Sequence, residues 1–320
     1  MKYYFAPLEG ITDYIYRGLH HRYFPGVDRY FTPFISPTQN HIFSPRELRQ
    51  VLPANNAGVP LVPQLLTKNA DDFLWAANVL RDLGYEEVNL NAGCPSGTVT
   101  AKGKGAGLLA DRDALRRLLD GIFAEAPVKV SVKTRLGMED PEMFSSILEI
   151  YNDYPISELT IHPRTKKEMY QGVVHLDAFA AALAVSRAPV CYNGDVLTAG
   201  DRKAVEERFP GIVAIMIGRG LVADPAVLLP THHRDTLRRF HDELCQTYCE
   251  AFGGPGSALH RMKAIWSYML DSFQDGRSYE RRLIKTKTWP DFISLTTEIF
   301  TQLELIDEEG RQAVSSIFQT

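Results

Sequence analysis

The stretch EEVNLNAGCPSGTVTAKGKGAGLL, residues 86–109, sets a single cysteine, Cys94, between Gly93 and Pro95 directly after a short apolar run. Residues 86–91 read as a buried strand, and the Gly, Pro and Ser that follow turn the chain out of it. Cys94 is therefore expected on a loop at a strand's carboxyl end, where α/β proteins place their chemistry. A thiol with an ordinary pKa of ~8.5 keeps its proton at neutral pH and can donate it. A lone cysteine is more commonly a small buried hydrophobe, so position has to argue for the chemical role. Other polar residues close other apolar runs in the same way: Gln64; Asn91; Lys133 and Arg135 in KTRLG; His162 and Arg164 in HPRT; Asn193, Gly194 and Asp195 in NGDV; Gly218 and Arg219 in GRG. Pro7 and Leu8 follow the first run in APLEG.

The elements that must carry these residues repeat. Eight short apolar or β-branched runs occur at residues 3–7, 29–34, 60–65, 86–91, 128–133, 158–162, 189–193 and 212–217, and most are followed by turn residues and a helix-like segment. Helical patterns are read at 70–83, 111–124, 141–152, 176–186 and 199–209. Strands alternating with helices imply a parallel sheet, and eight such units predict an α/β fold of the closed (β/α)8 type rather than an open doubly wound sheet. In a barrel the carboxyl ends of the strands meet on one face, which would gather the polar residues above into one site. After residue 231 the β signal stops and the pattern is helical. The sequence thus predicts a barrel over 1–235 and a smaller all-α domain over 236–320.

The chain has 320 residues, long enough for one large domain and a smaller one, and no apolar run approaches the ~18 residues a membrane helix needs. The amino terminus MKYYFAPLEG lacks a signal-peptide pattern, so a cytoplasmic protein with no membrane partner is expected. The four cysteines, Cys94, Cys191, Cys245 and Cys249, form no disulfide framework, and no Cys/His cluster has zinc spacing, so no metal is expected. Net charge is -4, yet Arg261 to Lys287 holds seven basic residues against three acidic ones, a local excess of +4. Such a segment on an acidic protein fits either a polyanion footprint or a solvated helix face.

NGDV and IGRG follow the last two strands, where barrels of this type commonly bind phosphate through glycine-exposed backbone N–H groups. A phosphorylated cofactor is implied, with Arg219 as a charge-assisted contact.

Taken together, APLEGITD, PLVPQLL, NLNAGCPSG, KTRLG, IHPRT, YNGDV and IGRG resemble the tRNA-dihydrouridine synthases in order and spacing over nearly the whole chain. That resemblance implies FMN in the barrel, a helical domain that grips tRNA, and reduction of the uridine C5–C6 double bond with NADPH or NADH as the electron source. By motif, the backbone around Pro7 and Leu8 would wrap the flavin. Gln64, Lys133 and His162 would contact its ring, and Asn193, Gly194, Asp195, Gly218 and Arg219 its ribityl-phosphate end. Asn91, Arg135 and Arg164 would touch the substrate, and Cys94 would be the proton donor. Glu9, inside the first motif, adds a carboxylate near the expected flavin. No obligate protein partner is implied. Two other readings share parts of this pattern: a flavin barrel acting on a free small molecule, and an RNA-binding protein that kept the scaffold without the reaction. A metal-dependent hydrolase fits poorly, since His162 has no carboxylate-rich partner set.

Overall fold

The computed structural model describes residues 1–231 and 233–306. Its centre is a parallel sheet of nine strand segments: β1 (Lys2–Phe5), β2 (Arg29–Phe31), β3 (Leu61–Val62), β4 (Gln64–Leu65), β5 (Glu87–Ala92), β6 (Lys129–Arg135), β7 (Leu159–His162), β8 (Val190–Tyr192) and β9 (Ala214–Ile217). The order is β3-β2-β1-β9-β8-β7-β6-β5-β4. Its two ends, β3 and β4, are separated in the chain by Pro63 alone, so they are halves of one strand and the sheet closes on itself. Proline has no N–H for a ladder. The strand therefore changes partner there, with β3 pairing to β2 and β4 to β5, while the Pro63 carbonyl accepts from Asn89 N–H at 2.8 Å. The expected eight-stranded barrel is present, with its third strand broken at a proline.

Alternation along the strands sorts residues between the barrel's interior and its helix-covered outside. Tyr4, Ala6, Phe31, Val62, Cys191, Ala214 and Met216 form a separate buried cluster, while Phe5, Tyr30, Leu65 and Tyr192 join the larger core. Cys191 is thus ordinary packing. Outer helices start on side-chain caps where the sequence placed them: Asn69 accepts from Asp72 N–H at the head of Ala70–Asp82, Asp111 from Ala114 N–H at Arg112–Glu125, and Thr198 forms a capping box with Asp201 at Ala199–Arg208. The 141–152 pattern becomes a 3-10 turn, Pro141–Met143, leading into the helix Phe144–Tyr151.

From residue 234 to 302 the regular structure is helical, with helices Arg234–Ala251, Pro255–Met269, Glu280–Lys285 and Trp289–Gln302 and short 3-10 turns between them. This region packs on the barrel helix Tyr14–Tyr23: Phe240 meets Tyr16 edge-on at 5.5 Å and Phe24 at 5.1 Å. Tyr248 donates to the buried Asp13 carboxylate at 2.9 Å. One apolar cluster includes residues of both regions, so they meet through shared core.

The basic segment is less free than its charge suggests. Lys263 donates to the carbonyls of Ile284 and Thr286, Arg277 pairs with Asp271 and Glu280, Arg282 with Glu298, and Arg261 with Asp13. Arg281, Lys285 and Lys287 remain exposed. Trp266 is fully buried and stacks on Phe273. Cys245 is buried against His241, its Sγ 3.4 Å from Nε2. Among the described residues, no helix is long and apolar enough to cross a membrane and no cluster of His, Cys, Asp or Glu could hold a metal ion.

Candidate active site

The carboxyl ends of the strands open into a cavity of about 500 Å³, within the range of small-molecule sites. Pro7, Leu8, Gln64, Asn91, Cys94, Lys133, Arg135, His162, Asn193, Gly194, Asp195, Gly218 and Arg219 all line it. Arg164 does not.

A ladder of side-chain amides crosses the barrel interior and ends on the cysteine. Asn89 donates to Ser131 Oγ at 2.9 Å, Gln64 to Asn89 Oδ1 at 2.8 Å, and Asn91 to Gln64 Oε1 at 2.7 Å. Asn91 Oδ1 then accepts from the backbone N–H groups of Gly93 (3.0 Å) and Cys94 (2.8 Å). These bonds occupy both amide oxygens and one N–H of each side chain, leaving a single N–H on Gln64 and one on Asn91 for any ligand. The Cys94 carbonyl accepts from Ala106 N–H at 3.0 Å, tying the residue to the following loop. That loop passes so close that a side chain at Gly105 would lie 2.9 Å from both Cys94 Cβ and its carbonyl oxygen. Cys94 is half-buried, and burial raises its thiol pKa against the opposing pull of a Ser96 backbone hydrogen bond, Arg135 and Lys133.

Two polar groups on the cavity wall lack protein partners. Lys133 forms no hydrogen bond or ion pair among the described residues, and burial followed by the repulsion of Arg135 pulls its ammonium down to about 7. His162 is buried, with Nδ1 3.4 Å from Asn193 Oδ1 and Nε2 unpaired. Burial first, then the charges of Arg135, Lys133 and Arg164, hold its pKa well below the usual histidine value, so the imidazole is neutral. A proton on Nδ1 would donate to Asn193 and leave Nε2 as an acceptor. Buried polar atoms are normally satisfied, so unpaired ones facing a cavity point to a ligand.

At the opposite end, Asp195 sits with φ 45°, a left-handed conformation unusual for a side-chain-bearing residue. It is clamped by Arg164 and Arg219. One carboxylate between two guanidiniums leaves one net positive charge, and Arg219 lines the cavity. Gly220 follows, where a Cβ would approach Val196 O to 2.3 Å, so only glycine lets the loops after β8 and β9 close together.

A family profile described as dihydrouridine synthase matches residues 4–302. The chain belongs to the dihydrouridine synthase family. Among curated relatives, the probable tRNA-dihydrouridine synthase of Rhodobacter capsulatus is 28% identical over 222 residues, covering 69% of this chain and 67% of that protein. The tRNA-dihydrouridine(16) synthase of Cupriavidus necator is 30% identical over 231 residues, covering 70% and 71%. Probable tRNA-dihydrouridine synthase 1 of Synechocystis is 31% identical, covering 71% of this chain and 63% of that protein. Among solved structures, morphinone reductase shares the fold with a TM-score of 0.52 at 14% identity, over 71% of this chain and 84% of that one.

Within this dihydrouridine synthase scaffold Arg164 lies off the cavity wall, and Glu9 and Arg135 line it with partners of their own. Arg164 is 1% exposed and spends its donors on Asp195 and on the carbonyls of Gln171 and Gly172, so it braces the Asp195 loop. Glu9 lines the cavity and pairs with Arg46 at 2.7 Å, which offsets its charge. Arg135 lines the cavity but is tied to the carbonyls of Gly93 (3.0 Å) and Thr165 (2.9 Å). Sequence reasoning missed Pro33, Phe34, Tyr170 and Tyr268 on the wall. Pro33 and Phe34 follow the second strand, and the strand-end rule applied to the other seven runs would have found them. Tyr170 lies beneath Arg135 and Arg219, whose guanidiniums sit 5.2 and 5.4 Å from its ring centroid. Neither it nor Tyr268, from the helical region, has a local sequence signal.

Proposed function

We propose that this protein binds FMN in the barrel cavity, takes electrons from NADPH or NADH, and uses Cys94 as the acid that protonates the uracil of a tRNA uridine. Family membership makes it a flavin-dependent oxidoreductase forming dihydrouridine in tRNA. The observation that carries the residue-level reading is the convergence, on one cavity, of the amide-held Cys94 with the uncommitted Lys133 ammonium and His162 Nε2.

The donor set fits a phosphorylated flavin. Lys133 and the spare N–H of Gln64 offer hydrogen bonds to ring heteroatoms, while Arg219 and the glycine-lined loops after β8 and β9 offer cationic and backbone donors to a phosphate. A bound flavin supplies the hydride equivalent that reduces the C5–C6 double bond of uracil. Lys133 lowers the cost of negative charge in the cavity, because a cation in a water-poor site interacts more strongly than in bulk solvent. Hydride addition at C6 leaves enolate-like charge toward C5, and the Cys94 thiol gives its proton there. The raised pKa suits that role: the proton is present at neutral pH without activation. Asn91 has one N–H left for the uracil edge while its oxygen fixes the Cys94 backbone, so one side chain orients both the base and its proton donor. The base must leave its stack to enter a cavity at the barrel mouth. The helical region is the second surface that holds the rest of the tRNA.

Cofactor released from purified protein by heat should have the mass of FMN, and NADPH or NADH should bleach the bound flavin. Recovery of FAD, or of no flavin after reconstitution, contradicts the assignment. The Cupriavidus relative is named for position 16, which makes that the first tRNA position to map.

A further inference from the structure

We infer that Lys68, Lys102 and Lys104 form a binding site for the sugar-phosphate backbone of the RNA, on the barrel rim beside Cys94; the inference rests on the tRNA reading above and assigns its phosphate contacts. The observations are a cluster of unpaired charge, its placement, and the shortage of free cations where the sequence had located the polyanion footprint.

None of the three lysines forms an ion pair or a side-chain hydrogen bond within the described residues, and Lys68 and Lys102 are exposed. They converge from two segments. Lys68 follows β4, and Lys102 and Lys104 flank Gly103 in the turn after the short helix Gly97–Thr100. A side chain at Gly103 would meet the Lys68 stem at 3.6 Å and its ammonium at 3.8 Å. The Lys68 side chain therefore lies over the turn, in van der Waals range of Gly103, the residue between Lys102 and Lys104. Like charges are held together at a cost unless an anion joins them, and a phosphodiester is the anion an RNA brings.

Position supplies the second half of the argument. The lysine turn is bonded to the cysteine loop through Ala106 N–H to Cys94 O, so a phosphate seated on the turn lies on the same rigid piece of backbone as the proton donor. In the basic segment 261–287, by contrast, Arg261, Lys263, Arg277 and Arg282 are occupied by Asp13, backbone carbonyls and carboxylates, leaving three exposed cations. The rim therefore offers as many unpaired cations as that entire segment, and offers them next to the chemistry.

The test is the salt dependence of tRNA affinity for the flavin-loaded protein, using tRNA transcribed without modification. Each phosphate contact to unstacked RNA contributes about 0.7 to the slope of log K against log salt. Three contacts contribute about 2, so replacing Lys68, Lys102 and Lys104 with Gln should reduce the slope by about 2. The affinity lost between about 50 and 200 mM salt should shrink by roughly 20-fold. Lys68→Gln alone should remove about one third of that slope, which keeps the inference testable if the triple variant is poorly behaved; flavin content reports on folding in each case. Unchanged slopes in folded variants that still bind tRNA overturn the rim site and leave the enzymatic reading intact. Failure of the unsubstituted protein to bind tRNA overturns both.

Discussion

Gly105→Ala puts a methyl group where the structure has no room for one, at the point where the loop meets Cys94. Gly105 has φ 58°, and its added Cβ would stand 2.9 Å from Cys94 Cβ, Cys94 O and Val99 Cγ1. An L-residue in the left-handed region costs about 1–2 kcal/mol. Overpacking against neighbours that cannot swing away adds about 1–3 kcal/mol. Two of the three obstructing atoms belong to Cys94, so relief of the clash requires the thiol to move. A shift of the reacting group by about 1 Å can cost on the order of 100-fold in rate. Gly105→Ala should therefore lose about 2–5 kcal/mol of stability and, at a temperature where it stays folded, turn over on the order of 100-fold more slowly with flavin retained. Gly58→Ala is the control: φ is 76°, nothing lies within 4 Å of the new Cβ, and only the backbone cost applies. Denaturant unfolding and single-turnover dihydrouridine formation measure the two quantities. A Gly105→Ala protein with wild-type stability and rate would refute the claim that this loop fixes Cys94.

Arg164→Met should destabilise the protein by about 3–5 kcal/mol, because a buried cation bonded to Asp195 and two carbonyls is lost, and should weaken FMN binding by leaving Arg219 neutralised by Asp195. Thermal unfolding and flavin titration check this, and an unaltered flavin affinity contradicts the bracing role. Lys133 predicts a pH dependence. Its folded pKa near 7 lies below the unfolded value of ~10.4, so between the two the unfolded chain binds one more proton. The slope of stability against pH across that window should be more positive in the flavin-free protein than in Lys133→Met, since the raised cysteine pKa values act with the opposite sign in both; equal slopes in the two proteins sink the assignment. The Cys94 thiol, raised by burial, should react slowly with iodoacetamide at neutral pH and faster as pH climbs, whereas rapid alkylation near pH 7 would mark a thiolate unsuited to proton donation.

Much of this architecture was legible because its signals are local. Each of the eight strands was visible as a short apolar or β-branched run, and helices such as Ala70–Asp82 announced themselves by a capping residue and a periodic face. The break at Pro63 was written in the sequence too, yet its consequence, a change of partner inside one strand, depends on neighbours 31 residues before it and 25 after. The helix Tyr14–Tyr23 was harder to see: YIYRGLHHRY is rich in aromatic and histidine residues of modest helix propensity, and it is held by the Asp13 cap and by Phe240. Site residues on strand ends were found from position alone. Their geometry was not: Arg164 stands in a motif among residues that line the cavity, and only the fold shows that its donors face Asp195. The free charge of the basic segment was hidden for the same reason, since a residue count cannot reveal that Glu298 sits opposite Arg282 or that carbonyls cap Lys263.

The central claim is that a tRNA uridine is reduced in this cavity with its proton supplied by Cys94. Unmodified tRNA should be incubated with the flavin-loaded protein and NADPH, then digested and mapped by mass spectrometry, with Cys94→Ala run in parallel. The account predicts one uridine gaining ~2 Da with the intact protein and a rate lower by roughly 100-fold or more in the variant, whose flavin is still reduced by NADPH. Equal dihydrouridine formation by both proteins would remove Cys94 from the mechanism, and no mass gain at any uridine would remove tRNA reduction from the protein.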